Sequence, residues 1–279
     1  MTTPKNIDYL TIGHICHDIV PDGLLVGGTV TYSGRTAQVL GCKTAVFTSS
    51  SPEDDWSEAL GEIALYSVPS AESTTFENIY NPEGRIQIIH GVAGYLWGKD
   101  IPEAWRRAPI VHLGPLTNEV EPEMVHMFSN SLIGMTPQGW MRRWGEDGRV
   151  FAREFQRAEA ILPYAAAVVL SEEDLLDDAM LENYRKWSRL VVMTQGWAGC
   201  TVFFGDETRH IPTSKVPEVE FTGAGDIFAA AYFVRLHQTN GNPWEAAEFA
   251  NQIASQSVTQ IGVDAKMEQI KRYLGQSQK

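Results

Sequence analysis

Thr222-Gly223-Ala224-Gly225-Asp226 is the segment of this chain best equipped to handle a phosphate group. It precedes Ile227-Phe228-Ala229-Ala230-Ala231, an apolar run that predicts a helix opening at Ala224. Two glycines let the backbone turn sharply and come close to a ligand. The first N–H groups of a helix lack partners within it and point outwards, with the positive end of the helix dipole behind them. Such a start stabilises charge spread over a phosphoryl group without needing a lysine. Asp226 falls in the first turn, where the dipole favours its ionised form, and a carboxylate there can take the proton of an attacking hydroxyl. The same residues also suit an ordinary glycine-rich turn with an acid at a helix start.

The elements that must position this segment alternate between strands and helices, the pattern of a mostly parallel sheet covered on both faces. Asp8 to Gly13 predicts a first buried strand, Ser33 to Leu40 a helix ended by Gly41, and Thr44 to Ser49 the next strand. Further strands are predicted at Ile110–Leu113, Leu132–Met135, Ala166–Leu170 and Leu190–Met193, with an acidic helical stretch at Glu172–Asp178. Ala224 to Leu236 is apolar on nearly every side and predicts a buried central helix, followed by a second helix over Pro243–Gln260. Thr75–Tyr80 and Arg85–His90, around Asn81-Pro82-Glu83-Gly84, predict a β-hairpin that breaks the alternation. It suits a flap or an ordinary edge hairpin. No linker separates two domains, so residues 1–279 are expected to form one domain with a small β lid drawn mainly from about 72–94.

The 279 residues are 43% hydrophobic and 20% charged, enough for a core that needs no disulfide or metal staple. Cys16, Cys42 and Cys200 are widely spaced and suit buried small apolar residues in a reducing compartment. Met1–Ile7 lacks a signal-peptide pattern, and Tyr164–Leu170 is only long enough for a core strand, so a cytoplasmic location is expected. The net charge of −13 argues against a general nucleic-acid or membrane surface. His14, Cys16, His17 and Asp18 do not read as a metal site, because alternation along a strand turns His17 away from the others. There is no Walker A, HExxH or GxSxG segment, which removes P-loop, zincin and α/β-hydrolase readings.

Glu220-Phe221-Thr222-Gly223-Ala224-Gly225-Asp226, with Phe228, resembles the C-terminal signature DTxGAGDxF of the PfkB family of ribokinase-like carbohydrate kinases. The resemblance implies a three-layer α/β/α sandwich with a mostly parallel sheet, ATP and Mg²⁺, an anion hole built by Gly223, Ala224 and Gly225, and Asp226 as catalytic base. Other matches extend along the chain. Gly27-Gly28 with Leu40-Gly41 is similar to the family's N-terminal signature, and Asp18 matches an aspartate that binds substrate hydroxyls. A carboxylate suits that work because it accepts two hydroxyl hydrogen bonds. Taken alone, these residues also suit a turn and a solvated strand-end acid. Thr194-Gln195-Gly196-Trp197-Ala198-Gly199 is similar to the nucleotide-side TxGxxG segment and follows a strand, where open α/β sheets bind ligands; a plain β-turn fits it too. Asn251 is the counterpart of asparagines that face the adenine, and equally suits a polar helix face.

The sequence departs from that pattern in places. Glu220 and Phe221 replace the signature's leading Asp and Thr, which puts a monovalent-cation loop there in doubt. The family's NxxE motif, which organises Mg²⁺ through water, becomes Ser171-Glu172-Glu173-Asp174; Asp174 keeps the charge on a shorter arm, though a surface acidic helix start fits as well. Tyr32 stands where the N-terminal signature has Asn. The run Thr136–Trp144, including Gln138 and Arg142 as substrate-side candidates, together with Gly13–Asp18, looks like a branch that includes myo-inositol kinases. Thr29 occupies the place of a lysine in members that take sugar phosphates, so a neutral sugar or polyol is expected, while Arg35, Arg142 and Arg143 keep a phosphorylated one open. A nucleoside kinase and a non-catalytic sugar or nucleotide sensor are the competing expectations, and a homodimer through the lid is left open.

Overall fold

The apolar runs of the sequence become strands in the computed structural model, which describes residues 4, 6–81 and 84–277. In chain order they are β1 (Tyr9–Ile12), β2 (Cys16–Val20), β3 (Gly23–Gly27), β4 (Thr44–Ser50), β5 (Ala64–Pro69), β6 (Thr74–Asn81), β7 (Gly84–Gly91) and β8 (Ile110–Leu113). There follow β9 (Leu132–Met135), β10 (Arg142–Trp144), β11 (Val150–Ala152), β12 (Ala167–Ser171), β13 (Leu190–Thr194), β14 (Cys200–Phe204) and β15 (Glu207–Ile211). Nine of them form one sheet in the order β15-β14-β13-β12-β9-β8-β1-β4-β5. The pairings from β5 to β13 are parallel, and β14 and β15 close one edge antiparallel.

Both faces of this sheet are covered. Leu10, Val111, Ile133, Val168 and Leu170 belong to one hydrophobic cluster with Trp105 and Trp140. Their strand neighbours Tyr9, Ile110, Ala167 and Val169 belong to the other, with the central helices. Successive residues of a strand point to opposite faces, so this partition is the three-layer α/β/α arrangement expected of uninterrupted apolar strands. The helices are α1 (Thr29–Val39), α2 (Ser57–Leu60), α3 (Ala158–Ile161), α4 (Asp178–Trp187), α5 (Ala224–Gln238), α6 (Pro243–Ser257) and α7 (Val263–Ser277). Helix α5 buries Ile227 to Val234 without a break, which is why its sequence is apolar all round.

Some boundaries differ from the sequence expectation. Helix α1 opens at Thr29 rather than Ser33: Thr31 N and Tyr32 N close its first bonds on Gly28 O (3.1 and 3.3 Å), and the Thr31 hydroxyl donates to Gly27 O at 2.8 Å. Glu172–Asp178 is a single 3₁₀ turn followed by α4, since Asp177 caps that helix by accepting from Met180 N at 2.8 Å. The hairpin β6–β7 forms as expected, with Pro82 and Glu83 of its turn outside the described residues. It is only half of a four-stranded sheet, β3-β2-β6-β7, so residues 16–27 contribute as much as 74–91. An isolated hairpin is marginal in water, and pairing β6 with β2 gives it a sheet to belong to.

Candidate active site

Strands β1, β8, β9, β12 and β13 run parallel, and the segments leaving their carboxyl ends carry His14, Gly114, Gln138, Asp174 and Gln195 respectively. That edge is where open α/β sheets collect ligands. Helices α1 and α5 pack together, and Ser33 Oγ donates to the main-chain oxygen of Asp226 at 3.2 Å.

Gly223 caps α5 in the left-handed region, φ 76° and ψ 0°. The Tyr32 ring lies against it: a Cβ on Gly223 would come within 2.4 Å of that ring. Only glycine meets both conditions. Ile227 N closes the first helical bond to Gly223 O at 2.9 Å, while the N–H groups of Gly225 and Asp226 donate to no protein acceptor among the described residues. One expectation needs correction. Ala224 N–H donates to Phe221 O at 3.0 Å, so this amide closes the turn instead of facing a ligand. The N–H groups left open at this helix start are therefore those of Gly225 and Asp226, and that of Gly223 just before them also donates to no acceptor among the described residues.

Asp226 is half-buried, and burial pushes its carboxyl up to about 6; the Thr29 hydroxyl, which donates to it, and the Arg142 guanidinium pull it down, while the carboxylates of Asp174 and Asp18 push it up. Five residues widely separated in sequence thus share one electrostatic environment. A carboxyl that ionises close to neutrality, beside two open amides, is suited to exchange a proton with an alcohol while the amides receive an anion.

Asp18 projects from the small sheet. Its Oδ2 lies over Gly27, where a Cβ would come within 2.2 Å of that oxygen, which explains the glycine and joins two expected substrate residues. Gly28 continues as the cap of α1. Asn78 Nδ2 donates to Asp18 Oδ1 (3.3 Å), and Gln87 Nε2 donates to Asn78 Oδ1 (3.0 Å). Arg142 is buried, with Nη1 donating to Leu116 O at 3.3 Å and its guanidinium 5.7 Å from the Phe76 ring centre. Gln138 Nε2 donates to Asp174 Oδ1 at 2.9 Å, and Ser171 N donates to Asp174 Oδ2 at 3.2 Å. Arg142, Asp174 and Gln87 line a recess of about 170 Å³ with Met141, Val150 and Phe151. The described residues contain no group of three or more His, Cys, Asp or Glu side chains that could hold a metal. His17 turns to Asp54 Oδ1 at 3.1 Å, away from Asp18.

The expected nucleotide-side residues form a separate cluster. Thr194 Oγ1 donates to Leu170 O (3.3 Å), and Gly196 and Gly199 shape the turn between β13 and β14, with Trp197 exposed. Asn251 departs from expectation. It is buried, and its Nδ2 donates to Ile211 O at 2.9 Å, so the amide ties the end of β15 to α6 instead of presenting itself to a base.

Asn78 and Gln87 escaped the sequence reading as site residues, and Thr29 entered it only for the lysine it replaces, not as a partner of Asp226. Only their partners distant in sequence reveal them. Thr29→Val should move the acid limb of the pH–rate profile upwards, since the lost hydroxyl donor favoured the ionised carboxyl. Turnover at neutral pH should fall roughly 10-fold, the scale of one hydrogen bond to a charged group. An unchanged acid limb would show that Thr29 does not tune Asp226.

Residues 157–270 match the model of the pfkB family of carbohydrate kinases. A segment of the chain is 32% identical over 92 residues to fructokinase-1 of Oryza sativa subsp. japonica, covering 31% of this chain and 28% of that protein. The ribokinase of Staphylococcus aureus (strain COL) is 30% identical to the chain over 101 residues, covering 36% of this chain and 32% of that protein. The alignments therefore span about a third or less of these relatives. Similar solved structures include a pyrophosphate-dependent kinase in the ribokinase family complexed with a pyrophosphate analogue and myo-inositol, with TM-score 0.82, 21% identity and 95% and 99% of the two chains covered. The Arabidopsis thaliana ribokinase complexed with ribose and ATP has TM-score 0.71, 18% identity and coverage of 95% and 99%. These likenesses establish the ribokinase fold.

Proposed function

We propose that this chain, whose residues 157–270 match the model of the pfkB family of carbohydrate kinases, transfers a phosphoryl group from a phosphoanhydride donor to a hydroxyl of a neutral sugar or polyol. The observation that carries this reading is the pairing of Asp226, its carboxyl raised to about 6, with the open Gly225 and Asp226 amides. The acceptor hydroxyl attacks the terminal phosphorus of the donor, the bond from phosphorus to the bridging oxygen breaks, and the donor remnant leaves with that electron pair. Asp226 takes the hydroxyl proton as this happens. The amides and buried Arg142 stabilise the charge on the transferring group. Asp18, held by Asn78 above Gly27, accepts hydrogen bonds from acceptor hydroxyls. The four-stranded sheet serves as a lid that limits loss of the phosphoryl group to water.

The donor is ATP with Mg²⁺ on the family reading. The hard oxygens of Asp174 and neighbouring Glu173 border the recess and fit an ion bound through water; when bound, Mg²⁺ neutralises donor phosphate charge. Pyrophosphate is the second reading. It is favoured by the committed amide of Asn251 and by the TM-scores of 0.80 to 0.82 to pyrophosphate-dependent kinases, against 0.69 to 0.72 for the ribokinases.

A grid of donors (ATP, pyrophosphate) against acceptors (myo-inositol, ribose, fructose, adenosine) tests the proposal, with phosphorylated product followed by mass spectrometry. Transfer to a polyol or sugar with either donor is expected, and the donor row decides between the two readings. Preference for adenosine would indicate a nucleoside kinase, and binding without transfer to any acceptor would indicate a sensor.

A further inference from the structure

Lys266, on α7, has no exposed surface at all. A buried ammonium must be paired to be tolerated. Its Nζ donates to the main-chain oxygens of Glu220 (2.6 Å) and Ser257 (3.4 Å) and lies 3.2 Å from Glu220 Oε2. The same carboxylate oxygen accepts from Gly262 N at 3.1 Å. Around this ammonium, Val219 N and Glu220 N both donate to Val258 O (2.8 and 3.1 Å). The segment entering the anion-binding turn is thus fastened to the segment joining α6 to α7, with one positive charge at the junction. The next carbonyl along, that of Phe221, accepts from Ala224 N and closes the turn.

We propose that Lys266 is a positioning residue of the phosphoryl-transfer site, a cation built into the chain that fixes the Glu220 carbonyl and so aims the Gly225 and Asp226 amides. The inference rests on the kinase reading. Two main-chain carbonyls and a carboxylate oxygen are hard donors of the kind that surround a small monovalent cation. Here the ammonium of a side chain occupies the middle of them. The charge is present whatever the salt, so the protein needs no added potassium. Burial lowers the affinity of this amine for its proton, and Glu220 opposes the loss.

The test compares the natural protein, Lys266→Ala and Lys266→Met in potassium, ammonium and tetramethylammonium chloride at equal ionic strength. Phosphoryl transfer and pyrophosphate binding by calorimetry are both measured. The natural protein should give the same rate and affinity in all three salts. Lys266→Ala should lose about 10-fold or more in kcat and pyrophosphate affinity, the scale of a charge-assisted contact, and regain most of it in ammonium or potassium. Tetramethylammonium is too large and should not restore it. Lys266→Met fills the space with an uncharged chain and should lose as much, with no salt restoring it. Activation of the natural protein by potassium over tetramethylammonium overturns the proposal, and that comparison requires no variant to fold. Loss in Lys266→Ala that no cation repairs, or no loss at all, overturns it too. Absence of transfer to any acceptor would instead refute the kinase reading, while pyrophosphate binding would still report on the clamp.

Discussion

Asp226→Asn loses at least about 100-fold in turnover, the scale of removing a positioned base, while donor binding is largely kept. The carboxyl must be ionised to accept the hydroxyl proton, so kcat/KM of the natural protein should rise with pH through about 6 and level off above it. The variant should lack that limb. Stability moves the other way. Asp226 holds its proton more tightly folded than unfolded, because its carboxyl rises from an ordinary value of 3.8 to about 6. Its favourable contribution is complete below the unfolded value and is lost as pH rises through the folded one. At neutral pH the ionised group therefore costs stability, on the order of 2 kcal/mol, and Asp226→Asn should melt at a higher temperature than the natural protein. The difference should shrink on acidification through pH 6. Near-normal turnover in the variant would remove Asp226 from the mechanism, and equal melting temperatures at neutral pH would contradict a cost to its ionisation.

The parts of this site legible in the sequence are those whose physics is local. A glycine-flanked helix start with an acid in its first turn is a matter of five consecutive residues, and the apolar run after Asp226 fixed where α5 would lie. Asp18 and Gly27 were separately legible, but their contact depends on the pairing of β2 with β3. Thr29, Asn78 and Lys266 gain their meaning from partners far along the chain, Lys266 from Glu220 46 residues earlier. Periodicity carries no such information. Asn251 shows the opposite failure. A polar residue within a helix gives no sign of whether its amide faces a ligand or a carbonyl of its own chain, and here the carbonyl of Ile211 takes it. Ala224 is subtler. Its amide was one of three consecutive candidates, and only the orientation of the Phe221 carbonyl removes it from the set. The small sheet was half legible because β6 and β7 are neighbours in sequence, whereas β2 reaches β6 across more than fifty residues.

Gly223→Ala should reduce turnover roughly 100-fold, and the cause can be separated into two parts. The left-handed conformation at φ 76° costs a residue with a Cβ roughly 1–2 kcal/mol. The new methyl also meets the Tyr32 ring at 2.4 Å, so either the ring or the helix start must move, and the amides of Gly225 and Asp226 move with the latter. Tyr32→Leu removes the ring while keeping the position apolar. If the ring contact sets the aim of the turn, the double variant Gly223→Ala with Tyr32→Leu should be more active than Gly223→Ala alone, a coupling that a double-mutant cycle measures directly. Equal activity of the two would assign the whole effect to backbone strain. Gly225 provides the contrast. A Cβ there meets nothing within 4 Å, so Gly225→Ala should be neutral or stabilise the helix by up to about 1 kcal/mol. Its methyl stands where a donor phosphate would approach the open amides, so the expected defect is a raised KM for the donor in a protein at least as stable as the natural one. A Gly225→Ala variant with unaltered donor KM would mean that the phosphate does not bind at this helix start.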